Sequence, residues 1–140
     1  MHTQKNKMKE VVDYLHKSLV QYFATIGLDG NPKVRPFHFM YEEDGKLWFC
    51  TSNKKEVYKE LKKHPYMELS AMGDKMSWIR LTGKVIFSDS LSAKEKVFKV
   101  SPMVKGIYKE ACNPEFEVFY LEGVTATIQE IGKAPKKFNS

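Results

Sequence analysis

Two closely spaced turn signatures constrain this chain more than any other feature. "DGNP" at Asp29–Pro32 and "EEDG" at Glu42–Gly45 separate three apolar, strand-like runs: "LVQYFATIGL", "KVRPFHFMY" and "KLWFCTS". Asp, Asn, Gly and Pro each favour tight reversals, through side-chain hydrogen bonds, positive φ or a fixed φ. Parallel neighbours need a crossover of about a dozen residues or more. Connections this short leave only antiparallel pairing, so the three runs read as a meander. "YMELSAM" and "MSWIRLTGKVIFSD" follow as two more strands hinged at Gly73-Asp74, and "EFEVFYLEG" and "TATIQEI" form a closing hairpin or a bent pair around Gly123. The sum is mainly β, an α+β chain: an antiparallel barrel with peripheral helices.

Helical periodicity fills the gaps. "NKMKEVVDYLHKS" turns Met8, Val12, Leu15 and Leu19 inward. A second helix runs from Asn53 to His64, with Val57, Tyr58 and Leu61 on one face and Pro65 ending it. Ser92 caps a third, and Pro102 breaks or restarts it. Gly83 marks a bulge or a close backbone approach, and the tail "GKAPKKFNS" reads as loosely held. A length of 140 residues is enough for a single domain, 1–140, that buries its core without staples. The two cysteines, Cys50 and Cys112, lie far apart and form no CxxC pair, so they read as free thiols and offer no metal site. The polar N-terminus and the lack of a long apolar run point to a cytoplasmic protein with no membrane partner. "LWFC" and "VFY" are apolar on both faces, and a homodimer would cover the second face.

The candidate functional residues gather where charge sits against expectation. Net charge is +6, a weak preference for anionic partners. Lys54 and Lys55 stand where the Asn53–His64 helix begins, on the positive end of its dipole. Asn53 with Glu56 reads as a capping box that puts both lysines at the first two helical positions. Two readings stay open: solvated lysines that tolerate the dipole, or an anion held by both ammonium groups, the free N–H groups, and the hydroxyls of Thr51 and Ser52. Arg35 shares a face with Phe37, Phe39 and Tyr41, as a surface arginine stacked on an aromatic or as a guanidinium aimed at a phosphate or ring. Pro36 marks an edge or opening in its strand. Trp78 is either packed or a stacking platform, and His38 either a packing residue or a site histidine. No dinucleotide, phosphate-loop, zinc-protease or serine-hydrolase motif is present, so any chemistry would come from a bound cofactor. The aromatics lie in apolar strands rather than alternating with lysines on an open face, which argues against nucleic acid as a partner.

The succession "VRPFHFMY", "LWFCTSNKKEVYKELKKHPYMELS", "WIRLTGKVIFSD" and "FEVFYLEGVTATI" closely resembles the pyridoxamine 5′-phosphate oxidase-like FMN-binding split-barrel family. Within it the chain looks most like the small branch of nitroimidazole-resistance and general-stress flavoproteins. The resemblance covers about residues 8–130 and implies a homodimeric split β-barrel with FMN at the subunit interface and a small-molecule substrate. By position, Arg35 matches the strand arginine that reaches the flavin or its phosphate, and Pro36, Phe37 and His38 match the ring edge. Cys50, Thr51 and Ser52 match the strand end against the ring and ribityl chain. Lys54 and Lys55 match the phosphate-binding basic pair, and Trp78 a side chain near the ring. The resemblance thus implies an FMN-dependent oxidoreductase, or a flavin-binding module that turns nothing over. Met40 stands where vitamin B6 phosphate oxidases carry a lysine, and the arginine-rich closing motif of those enzymes is missing. That activity is therefore not implied.

Overall fold

Both tight turns reverse the chain as their composition requires. In the first, Gly27 N donates to Asn31 O (2.7 Å) and Asn31 N to Asp29 Oδ1 (3.0 Å). In the second, Asp44 and Gly45 both take positive φ, 53° and 80°, which matches the twist of the flanking strands. Residues 2–140 are described by a computed structural model, with side chains from Met8 onward. The elements run α1 (His2–Ser18), β1 (Gln21–Ile26), β2 (Pro32–Phe37), β3 (Tyr41–Glu43), β4 (Lys46–Ser52), α2 (Glu56–Lys63), β5 (Tyr66–Met72), β6 (Ser77–Ser88), α3 (Leu91–Val100), α4 (Pro102–Tyr108), β7 (Phe116–Glu130) and β8 (Lys136–Asn139).

Every strand pair is antiparallel, in the order β2-β1-β5-β6-β7-β4-β3 with β8 added to β7. The stretch expected as one strand, Lys33 to Tyr41, is in fact two. β2 and β3 lie at opposite ends of the order, and residues 38–40 carry the chain from one to the other. Because so short a link ties the two ends, the sheet curls into a barrel that is left open at that seam. Buried Gln21 fixes the seam: its Oε1 accepts from Phe39 N (2.7 Å) and its Nε2 donates to Leu15 O (3.1 Å). Inside, Phe23 of β1 stacks on Phe37 of β2 at 4.4 Å, and Phe49 of β4 on Phe119 of β7 at 5.6 Å. Phe37 meets Phe49 edge-on at 6.4 Å, so rings from both ends of the order form one core.

α1 lays Met8, Val11 and Leu15 on this core, but Leu19 is exposed, because a positive φ of 60° turns it out of the helical face. The tail is held more firmly than its composition implied: Lys136–Asn139 pairs with β7 and Phe138 is buried. β7 is a single strand bent at Gly123, whose φ is +62°, opposite the register shift at Gly83. A Cβ on Gly83 would stand 3.2 Å from Leu121 Cβ, so both the bulge and the close approach are present. α3 is capped by Ser90, not Ser92, and Ser101 caps α4 with Pro102 in its first turn.

Ala93, Val97 and Val104 of α3 and α4 pack on Trp48, Phe116 and Val118. This corrects the reason given for a second copy. The outward faces of "LWFC" and "VFY" are covered by the chain's own helices.

Candidate functional site

Alternation along β4 turns Leu47, Phe49 and Thr51 to the barrel interior, and Trp48 and Cys50 toward α3 and α4. The strand then runs into the loop before α2, where the helix start differs from the expected capping box. α2 begins at Glu56, its N-cap is Lys55 with an extended backbone, and no side chain caps it. Asn53 does not cap it: it lies two residues before the N-cap, and its Nδ2 ties it toward β7, donating to Pro114 O (2.7 Å) and to Glu117 Oε2 (2.9 Å). Lys54 and Lys55 therefore precede the helix rather than occupy its first two positions. Ser52 shapes the turn, its Oγ accepting from Lys54 N and its carbonyl from Lys55 N, each at 3.1 Å.

That leaves donors unused at the helix start. Tyr58 N reaches Lys55 O at 3.2 Å, while Glu56 N and Val57 N find no acceptor among the described residues. Lys54 and Lys55 are exposed and pair with no carboxylate among the described residues. Two buried side-chain polar atoms lack partners there, Trp48 Nε1 and Thr51 Oγ1. An orphaned buried hydroxyl costs about 1–3 kcal/mol. Thr51 carries that cost at the very strand end that leads to the lysines.

Cys50 lies beside this junction. Burial pushes its thiol up to about 12, against the pull of the Lys55 charge, so it stays protonated and is no nucleophile. Tyr108, at the end of α4, packs on Phe116 at 4.7 Å, and Phe116 pairs with Ser52. Burial raises the Tyr108 hydroxyl above its ordinary value.

Arg35 does not point at the lysines. Its Nη1 donates to Phe23 O (3.0 Å) and Thr25 Oγ1 (2.8 Å), and its Nη2 to Glu60 Oε1 (2.7 Å). Thr25 Oγ1 donates to the same Glu60 oxygen at 2.7 Å. Glu60 is a buried carboxylate on α2, and sequence reasoning missed it: within "EVYKELKK" it looks like one more solvated charge. The shallow cleft beside Arg35 is lined by Asp29, Glu56 and Glu60 as well as Lys33, so carboxylates outnumber cations there and an anion is not favoured.

The remaining predicted residues divide between core and outer surface. Phe37 is buried in the aromatic core. Pro36 sits on edge strand β2, where its missing N–H costs nothing, and the exposed His38 meets Leu19 O through Nδ1 at 2.8 Å. Pro36 pairs with Tyr22, Tyr22 with Ser70 and Ser70 with Arg80, one row across the outer face of four strands. Half-buried Trp78 lies on that face opposite Met72, and Val34, Tyr22 and Met72 are exposed on it.

A larger cleft, of about 740 Å³, opens between α1, the β5–β6 turn and the start of β8. Lys136 pairs with Glu10 at 3.3 Å and Lys133 with Glu130 at 2.8 Å, Lys17, Asp74 and Lys75 stay outside any ion pair among the described residues, and no orphaned buried atom belongs to it. The donor chemistry therefore favours the β4–α2 junction over the larger space. Among the described residues no His, Cys, Asp or Glu group is arranged to hold a metal ion, and no helix is long and apolar enough to cross a membrane.

The family model for pyridoxamine 5′-phosphate oxidase matches residues 8–131. Among solved structures, a nimC/nimA family protein from Clostridium acetobutylicum is 31% identical with a TM-score of 0.91, over 99% of this chain and 96% of its own. A protein related to general stress protein 26, from the same organism, is 18% identical with a TM-score of 0.74, over 96% and 95%. A pyridoxamine 5′-phosphate oxidase-related, FMN-binding protein from Nostoc punctiforme shares the fold at 12% identity, with a TM-score of 0.60 over 94% and 95%. A comparison with curated protein sequences gives no match.

Proposed function

Because this chain belongs to the pyridoxamine 5′-phosphate oxidase family, we propose that it binds FMN and works as an oxidoreductase on a small molecule. One observation carries the reading. In the stretch 51–57 at the β4–α2 junction, two exposed lysines without carboxylate partners and two backbone N–H groups without acceptors follow directly on Thr51, whose buried hydroxyl is orphaned. A phosphate dianion would meet the lysines and the N–H groups together. Lys54 and Lys55 would supply the charge, Glu56 N and Val57 N the directed donors, and Ser52 a hydroxyl, with Thr51 at the strand end behind them.

The bound flavin supplies the redox chemistry, and the protein holds and shields it. Cys50 contributes bulk rather than reactivity, since its thiol stays neutral at physiological pH. The exposed apolar side chains of Val34, Tyr22 and Met72 on the outer sheet face favour a homodimer, with FMN at the subunit interface. Pro36 and Trp78 lie on that outer face with β1 and β5 between them, and the exposed His38 follows the end of β2; a flavin ring seated between copies would lie against this surface. Vitamin B6 phosphate oxidation is not part of the proposal: Met40, where the resemblance puts a lysine, is buried beside Tyr41 and Trp48.

The test is the visible absorption spectrum of protein purified without added cofactor, followed by mass identification of whatever is released on denaturation. A flavin spectrum and FMN are expected. A haem Soret band, or a colourless protein that takes up no added FMN, would overturn the proposal. Steady turnover with a reduced nicotinamide and a nitro or quinone acceptor separates an oxidoreductase from a flavin-holding module.

A further inference from the structure

The geometry points to Glu60 as a positioning residue that fixes the N-terminal turn of α2 for phosphate binding, by gripping Arg35 and Thr25. This inference rests on the FMN reading above. α2 has eight residues, well short of the roughly 12–15 at which an isolated helix becomes even marginally stable in water, so its placement depends on tertiary contacts. Val57 and Leu61 anchor it apolarly, but apolar contacts are non-directional and leave rotation and sliding soft. Glu60 supplies direction. One of its oxygens accepts from Arg35 Nη2 and from Thr25 Oγ1, each at 2.7 Å. Arg35 in turn grips β1 through Phe23 O at 3.0 Å. Glu60 lies one helical turn after Glu56, so any rotation or slide it permits moves the free Glu56 and Val57 N–H groups directly.

The loop end of the same turn is pinned independently, by Asn53 to Pro114 O, Glu115 O and Glu117 Oε2. The donors thus sit between two fixed points, one on β7 and its approach, the other on β1 and β2. A buried ion pair is poor evidence for stability and is better attested as a device for specificity. In this structure the thing specified is where the helix start faces. Arg35 therefore serves a phosphate by holding Glu60, without touching the phosphate itself.

The experiment measures FMN and riboflavin affinities side by side for wild type, Glu60→Gln and Thr25→Val, with melting temperatures for all three. Riboflavin has the same ring and ribityl chain without the phosphate, so it reports the rest of the site. Glu60→Gln keeps the volume and an acceptor but drops the charge that grips Arg35. It should weaken FMN about tenfold and leave riboflavin within about twofold. Thr25→Val, which leaves the Arg35–Glu60 pair in place, should move FMN alone by a smaller factor, and keeps the inference testable if Glu60→Gln does not fold. Equal losses for both ligands, or no loss for either, would overturn the role of Glu60 while a wild-type preference for FMN left the flavin reading standing. A wild type with no preference for FMN over riboflavin would remove the phosphate cradle, and the inference with it.

Discussion

Replacing Arg35 by methionine strands the Glu60 carboxylate, and the cost can be worked from its surroundings. The Glu60 side chain is 4% exposed and Arg35 24%, with Nη2 and Oε1 at 2.7 Å. Without the guanidinium, the carboxylate keeps only the Thr25 hydroxyl as a side-chain donor. Breaking a buried pair from one side costs about 3–5 kcal/mol. The surviving Thr25 bond and the solvent-facing edge of Arg35 place this site at the lower end, about 3 kcal/mol. Removing both charges, as in Arg35→Met with Glu60→Leu, leaves no buried charge unpaired and only the Thr25 hydroxyl without partners, a cost of about 1–3 kcal/mol, so the double variant should be clearly more stable than the sum of the two single losses. Equilibrium urea unfolding of the wild type, both single variants and the double variant measures the cycle directly. An Arg35→Met protein within about 1 kcal/mol of wild type, with a double variant no better than the sum of the singles, would refute the buried pair. The same reasoning shows why Arg35→Ala cannot by itself report a phosphate contact: it disturbs the placement of α2 first.

Two further outcomes follow from burial. The Cys50 thiol, ordinarily near 9.0, is held up to about 12, so the unfolded chain releases its proton first. The contribution to stability is therefore intact below about pH 9 and declines as pH rises toward 12; thiol titration near neutral pH should find Cys112 reactive and Cys50 reactive only after denaturation. Phe138 is 4% exposed on the last strand, so Phe138→Ala should destabilise by about 3 kcal/mol, measurable by urea unfolding. A loss below about 0.5 kcal/mol would mean that β8 is not held as described.

The sequence made the local turns legible because their chemistry is local: Asp29–Pro32 and Asp44–Gly45 carry their own backbone preferences. Gly83 likewise announced a bulge by having no side chain to place. The split between β2 and β3 was hidden, since Phe37 and Phe39 keep alternating inward while the chain changes edge, and only Tyr41, stacked on Trp48 beneath α3, leaves the barrel interior. What breaks the ladder is a long-range partner, the Gln21 side chain on Phe39 N. Asn53 misled for the same reason: as a residue type it caps helices, yet Pro114 O and Glu117 claim its amide. The lysine pair stood out because it opposed a dipole. Glu60 did not, because only the fold shows that its carboxylate is buried against an arginine 25 positions away.

The placement of a phosphate at the β4–α2 junction is tested most directly by titrating Lys54→Ala/Lys55→Ala with FMN and with riboflavin. Both lysines are exposed and unpaired among the described residues, so the variant should keep the wild-type melting temperature. FMN affinity should fall at least about tenfold, some 1.4 kcal/mol, with riboflavin unchanged. FMN binding as tight as in the wild type, or an equal loss for the two ligands, would contradict the account.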